Sequence, residues 1–166
     1  IAAVPVVHRC YAFTPRDIAW LFERYRMAFG EGIARELTPQ PYVNSGVMAI
    51  RAGSRLWRNF AERFQSALHQ WEGPFLSDQA VVNATILLDD IQLQRLPAKA
   101  NWICHLSQPG WNDVTKMLVE PALPFEPILI VHNTFDDKNA EHDLRTLKGQ
   151  PRKTRLTHSA IKSLRH

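Results

Sequence analysis

From Tyr42 to Ile50 the chain is an apolar run suited to a strand inside a sheet, and it is broken by Asn44, Ser45 and Gly46. An amide, a hydroxyl and a glycine in succession are costly in a sheet interior unless their polar groups find partners. Two arrangements meet that demand. One is a bulge whose polar groups are satisfied internally; the other is a place where a ligand comes close to the backbone. The stretch alone does not choose between them.

The elements around it can be read from their punctuation. Residues 1–7 form an apolar run that predicts a central strand, with Pro5 near its end as strand geometry prefers. Thr14, Pro15 and Asp17 supply a hydroxyl N-cap, a proline at the first helical position and an acid in the first turn. The helix they open is expected to reach about Phe29, to bury Ile18, Leu21, Phe22 and Tyr25, and to end at Gly30. Residues 30–40 read as a crossover loop, and the strand around Asn44 is expected to end near Arg51. Ser54 caps an amphipathic helix running to about Trp71, with Leu56, Trp57, Phe60, Phe64, Ala67, Leu68 and Trp71 as its core stripe. Gly73 and Pro74 stop it, and Ser77 caps a third helix from Asp78 to about Leu88.

Further along, Gln92 to Pro97 alternates as a short strand, whereas residues 98–127 read as irregular, rich in proline and tryptophan. Pro127 to His132 is a second strongly apolar strand that ends on a histidine. Strands alternating with helices predict an α/β arrangement, with helices covering both faces of a mainly parallel or mixed sheet. Ligands of such sheets gather beyond the strand ends. That places Asn44-Ser45-Gly46, the helix-opening Ser77-Asp78-Gln79 and His132 in one candidate neighbourhood. Each also has a structural reading, since Asp78 suits the positive end of a helix dipole and a strand-end histidine can simply be a satisfied core group.

Composition narrows the class. A chain of 166 residues that is 45% hydrophobic fits one domain with a real core. No apolar run approaches the ~20 residues of a membrane span, so a soluble protein is expected. The start at Ile1, already inside an apolar run, suggests a piece of a longer protein. Cys10 and Cys104 have neither metal-ligand spacing nor a disulfide framework and read as ordinary thiols in a reducing compartment. The net charge of +4 is uneven: from Asp143 to His166 seven Lys or Arg face one acid. Residues 136–166 therefore read as a polar, basic, weakly packed tail, with a short helix from Thr157 to Leu164.

Five short elements occur in a shared order: Ile1-Ala2-Ala3-Val4-Pro5, Tyr42-Val43-Asn44-Ser45-Gly46-Val47, Ser77-Asp78-Gln79 with Asn83 one turn on, Leu96-Pro97 followed by Asn101-Trp102, and Ile130-Val131-His132. In this the chain resembles the glycogenin-like and lipopolysaccharide galactosyltransferase-like glycosyltransferases over residues 1–135. The resemblance implies a GT-A-like mixed sheet flanked by helices, with the N-terminal nucleotide-binding half expected upstream of Ile1. It further implies that residues 1–135 are the C-terminal, acceptor-side portion of a domain that uses nucleotide-diphosphate sugars.

The same resemblance assigns roles. Asn44, with Ser45 and Gly46, would contact substrate, and Asn101 and Trp102 would join the substrate-binding set. Asp78 would bind hydroxyls of the transferred sugar and Gln79 would stabilise the reacting centre. His132 would be a ligand of a divalent cation, usually Mn2+, which neutralises charge on the departing diphosphate. The Asp-x-Asp motif that completes the family's metal site is not in this chain; Asp89-Asp90 reads as a helix end and Asp136-Asp137 as a solvated loop. Where the family carries His-x-x-Gly and a Lys-Pro-Trp, this chain has His132-Asn133-Thr134-Phe135.

Two functional readings follow. One is hexose transfer from a nucleotide-diphosphate sugar to a sugar or glycan acceptor by the intact parent, the isolated chain being inactive. The other is a truncated or degenerate, non-enzymatic module whose basic tail binds an acidic partner. The expected setting is cytoplasmic, with weak membrane-surface contact through the tail; nucleic acid is not the expected partner.

Overall fold

The computed structural model describes residues 1–12, 14–71, 73, 76–133 and 139–164. It is mixed α/β, 37% helix and 22% strand, with the strands shared among several small mixed sheets. The single sheet expected from the sequence does not form. Most strands have only two to four residues, enough for local pairing but not for a broad sheet. The chain separates into two compact units: Ile1–Val7 with Phe13–Leu96, and His8–Ala12 with Pro97–His166.

In the first unit, strand β1 (Ala2–Pro5) is central, as expected, in a three-stranded sheet. It pairs antiparallel with β2 (Val43–Ala49) and parallel with the two-residue β3 (Gln94–Arg95). Helix α1 (Pro15–Phe29) starts with a full capping box, in which the Thr14 hydroxyl accepts from Asp17 N and the Asp17 carboxylate accepts from Thr14 N. Leu21, Tyr25 and Ala28 are its buried face, while Ile18, assigned to the core from the sequence, is 47% exposed.

Residues read as a crossover loop contain a further helix, α2 (Glu31–Leu37). Gly30 joins the two: its N–H closes α1 on Arg26 O and its carbonyl accepts from Ala34 N. The backbone there has φ 84° and ψ 166°, a region essentially reserved for glycine. Helix α3 (Arg55–Gln70) buries Leu56 and Ala67 and half-buries Phe60 and Phe64, but Trp57 and Leu68 of the expected stripe face solvent.

Helix α4 (Asp78–Leu88) has the bounds expected of it and is buried on nearly every side from Ala80 to Ile86. Val82 and Ile86 pack with Ala3, Val43, Leu56 and Ile91, whereas Val81 packs with Ala28, Ala67 and Leu76. A helix apolar all round is the centre of a core rather than its cover. Asp89 stands at the C-cap of α4, matching its reading as a helix end, while Pro74 and Asp136-Asp137 lie outside the described residues.

The second unit is built mostly from strands where the sequence suggested irregular chain. Strand β4 (Trp102–Ile103), preceded by the 3-10 turn Ala98–Ala100, pairs parallel with β7 (Val131–His132). A four-stranded sheet runs in the order β6 (Met117–Val119), β5 (Gly110–Asn112), β8 (Glu141–Thr146), β9 (Arg152–Arg155). The apolar strand expected over residues 127–132 shrinks to β7, because Leu129 and Ile130 face solvent.

The described part of the stretch read as a weakly packed tail, residues 139–164, is also folded. β8 alternates exposed and buried residues, turning His142, Leu144 and Thr146 inward, and Thr154 of β9 joins them. Helix α5 (His158–Ser163), capped by Thr157, follows, close to the expected position. Among the described residues no helix is long and apolar enough to cross a membrane.

Candidate functional site

The Asn44-Ser45-Gly46 stretch is a bulge. Ala3 and Val4 are adjacent on β1, yet they face Met48 and Asn44 on β2, so Ser45, Gly46 and Val47 are extra chain between two consecutive pairs. Its polar groups are satisfied locally. The Asn44 carboxamide oxygen accepts from Gly46 N at 2.8 Å, and Ser45 donates from both its N (3.0 Å) and its Oγ (3.2 Å) to Gln79 Oε1. The sheet order leaves β2 at an edge, and an edge strand presents unpaired backbone groups.

Helix α4 supplies what a neighbouring strand would. Asn83 Oδ1 accepts from Val43 N at 2.8 Å, and its Nδ2 donates to Val43 O at 2.8 Å. Gln79, one turn earlier, takes Ser45. The spacing explains why this works. Four residues of helix rise about 6 Å and two residues of strand about 6.6 Å, so amides at i and i+4 meet alternate residues of an extended edge. Asn83 also donates to the backbone carbonyl of Gln79 at 2.8 Å, which holds its side chain in place on the helix.

At the start of α4 the Ser77 hydroxyl accepts from Ala80 N, and the exposed Asp78 carboxylate accepts from Gln79 N at 2.8 Å. Tyr42 is buried just before β2. Burial pushes its phenol up to about 12, against the pull of the neighbouring Gln79 amide. Asn44, Ser45, Gly46, Asp78 and Gln79 are therefore gathered within the first unit, on the bulge and the helix start.

Asn101, Trp102 and His132 belong to the second unit. Asn101 and Trp102, expected to bind substrate, are both 0% exposed, so as folded they pack the interior instead of facing a sugar. The Trp102 ring meets those of His8 and Tyr11 edge-on at 5.4 and 5.2 Å, and its indole N–H donates to Ser107 O at 2.7 Å. The Tyr11 hydroxyl accepts from Ile103 N at 3.1 Å, and burial raises its pKa to about 12.

His132 is half-buried on β7, opposite Ile103 of β4, and its carbonyl accepts from Cys104 N. Among the described residues no three His, Cys, Asp or Glu side chains come together as a metal cluster. A single imidazole is too few ligands for Mn2+, which takes several oxygen-rich ones, so the described residues do not by themselves fit that ion.

Sequence reasoning missed a polar knot in the same unit. Glu120, 4% exposed, lies 2.6 Å from the Arg9 guanidinium and 3.4 Å from His8 Nε2. His8 Nδ1 accepts from Cys10 N at 3.2 Å, which leaves the ring proton on Nε2, facing Glu120. The only trace in the sequence is an acid, Glu120, following the apolar Leu118-Val119, with its partners 111 and 112 positions away. Cys10 and Cys104 are free thiols. Compared with family models, with curated proteins and with solved structures, the chain has no significant match in any of the three.

Proposed function

We propose that this chain is the acceptor-side portion of a GT-A-like glycosyltransferase, which moves a hexose from a nucleotide-diphosphate sugar to a sugar or glycan acceptor. The observation that supports the reading is the joint between the β2 bulge and the first turn of α4. There Ser45 is fastened to Gln79 by two hydrogen bonds, beside the exposed carboxylate of Asp78.

Each residue then has a defined part. An ionised carboxylate offers about four acceptor positions, so Asp78 can hold sugar hydroxyls while still accepting from Gln79 N. Gln79 has its oxygen committed to Ser45, and its amide nitrogen, which lies beside the Tyr42 phenol, is the donor that would turn toward a reacting oxygen. Gly46 is exposed and without a side chain, so a ligand can approach the backbone closely. Asn44 acts through Gly46, holding the bulge in shape. His132 would serve only as one ligand of a divalent cation, the others coming from outside the described residues.

The test is sugar transfer by the full-length protein from a panel of nucleotide-diphosphate hexoses in the presence of Mn2+. Asp78→Asn and Gln79→Ala should each lower kcat by about 10²- to 10³-fold without changing the circular dichroism of the fold. Transfer at the parental rate in Asp78→Asn would sink the reading. His132→Ala at saturating Mn2+ decides the metal role separately, and full retention of activity removes it.

A further inference from the structure

The second unit carries a cationic cavity formed by two turns. β5 and β8 are parallel neighbours, with Trp111 opposite Thr146, so the turns that follow them emerge at the same end of the sheet. Between those turns lies a cavity of about 240 Å³ whose wall includes Lys116, Lys148, Arg152, Asp113, Thr146 and Gln150. Three cations face one carboxylate, which leaves two positive charges. Asp113 Oδ1 is 3.4 Å from Arg152, and that pair accounts for the acid. Among the described residues, neither Lys116 nor Lys148 has an ion-pair partner.

Both turns are held rigidly. In the first, Asn112 Oδ1 accepts from Val114 N and Thr115 N, and Asn112 O accepts from Lys116 N at 2.8 Å. In the second, Thr146 accepts from Gly149 N through its carbonyl and from Gln150 N through its hydroxyl. Gly149 has a positive φ, 84°, ordinary for a glycine, whereas the first turn carries a non-glycine residue, Lys116, at φ 56°. A lysine in the left-handed region is strained where glycine or asparagine would not be.

We propose that this cavity binds a phosphate group. Two ammonium groups without an ion-pair partner among the described residues and a guanidinium already oriented by a carboxylate suit a compact, multiply charged oxyanion, for which lysine serves as a point charge. The phosphate group can belong either to a soluble phosphorylated molecule or to a lipid headgroup. The site lies within the second unit and does not depend on the glycosyl-transfer reading. Phosphate binding and sugar transfer are measured in separate assays, and either can fail alone.

The test is titration of the full chain with inorganic phosphate at fixed ionic strength, followed by amide NMR shifts and calorimetry. Cosedimentation with phosphatidylcholine vesicles, with and without phosphatidic acid, forms the second arm. Phosphate should shift the amides of Lys116, Lys148, Gly149, Gln150 and Arg152, and Lys116→Ala with Lys148→Ala should weaken binding by about tenfold or more. Binding of free phosphate without vesicle binding assigns the site to a soluble ligand. Vesicle binding that free phosphate displaces assigns it to a headgroup.

Lys116→Gly guards against misfolding as an explanation. It relieves the left-handed backbone while removing the charge, so it should melt no lower than the parent and still bind phosphate about tenfold more weakly. The proposal is overturned if neither phosphate nor phosphatidic acid binds, or if Lys116→Gly keeps parental affinity. Equal weakening by Lys153→Ala, on the exposed side of β9 beside Glu141, would also overturn it, because only general surface charge would then be at work.

Discussion

The first unit buries its apolar side chains around one central helix, and of its few interior polar side chains Asn83 joins that helix to a strand edge. The second unit has short strands, and its interior mixes rings with polar groups: Trp102 against His8 and Tyr11, and Glu120 against Arg9 and His8. The physical difference is one of directionality. Apolar burial is non-directional and tolerates small shifts, whereas buried charges and amides must meet partners in one geometry. The first unit should therefore soften gradually under substitution, and the second should fail at particular atoms.

The largest expected effect is at Trp102, which is 0% exposed. Trp102→Ala should cost about 3–5 kcal/mol. Hydrogen exchange should show the loss in β4, β5 and β8 while the amides of α4 keep their protection. Equal loss of protection in α4 would break the comparison, because the units would then be one cooperative body.

Next comes Asn83, whose side chain serves both backbone groups of Val43. Asn83→Ala should destabilise the first unit by about 2–3 kcal/mol, through backbone groups left without partners. Asn83→Leu should be no better, since volume is not what is lost. Recovery of stability in the leucine variant, read by denaturant unfolding, would mean that packing governs this joint too.

A smaller effect concerns alkaline pH. All three tyrosines are raised by burial: Tyr25 and Tyr42 in the first unit, with Tyr42 at about 12, and Tyr11 in the second, also at about 12. A raised phenol keeps its share of stability in full below the ordinary value of 10.0 and loses it as pH climbs through the raised one. Tyrosinate absorbance should therefore stay flat near pH 10 and rise only toward pH 12, together with unfolding. Tyr11→Phe should delay only the second unit's share, and a phenol titrating near pH 10 would show that its pocket is open.

How much could be read in advance follows the same division. The boundaries of α1, α3 and α4 were legible because their caps and stops are local: Thr14 with Asp17, Ser54, and Ser77 are within three residues of what they bind. β1 was legible as a central strand by its unbroken apolar run. α2 was not, since it has only Ile33, Ala34 and Leu37 to show a period and glycines at 30 and 32 to hide it. β8 and β9 escaped because their inward faces carry His142, Thr146 and Thr154, which alternate in position but not in polarity, and β4, β5 and β6 escaped because they have only two or three residues each. At the candidate site, the residues at 44–46 and 78–79 could be singled out, but their mutual hydrogen bonds could not. The knot at Glu120 left no local pattern, its partners being more than a hundred residues away.

The corner at Gly30 has a consequence in handedness. A Cβ built there meets nothing within 4 Å, so space is not what excludes a side chain. What excludes it is chirality alone: φ 84° and ψ 166° are forbidden to an L-residue and, by mirror symmetry, ordinary extended backbone for a D-residue. A D-alanine installed by chemical ligation would keep both helices and stiffen their junction, while L-alanine would force one helix to end elsewhere. The turn from α1 into α2 is thus a position where the fold distinguishes two mirror images of the same methyl group.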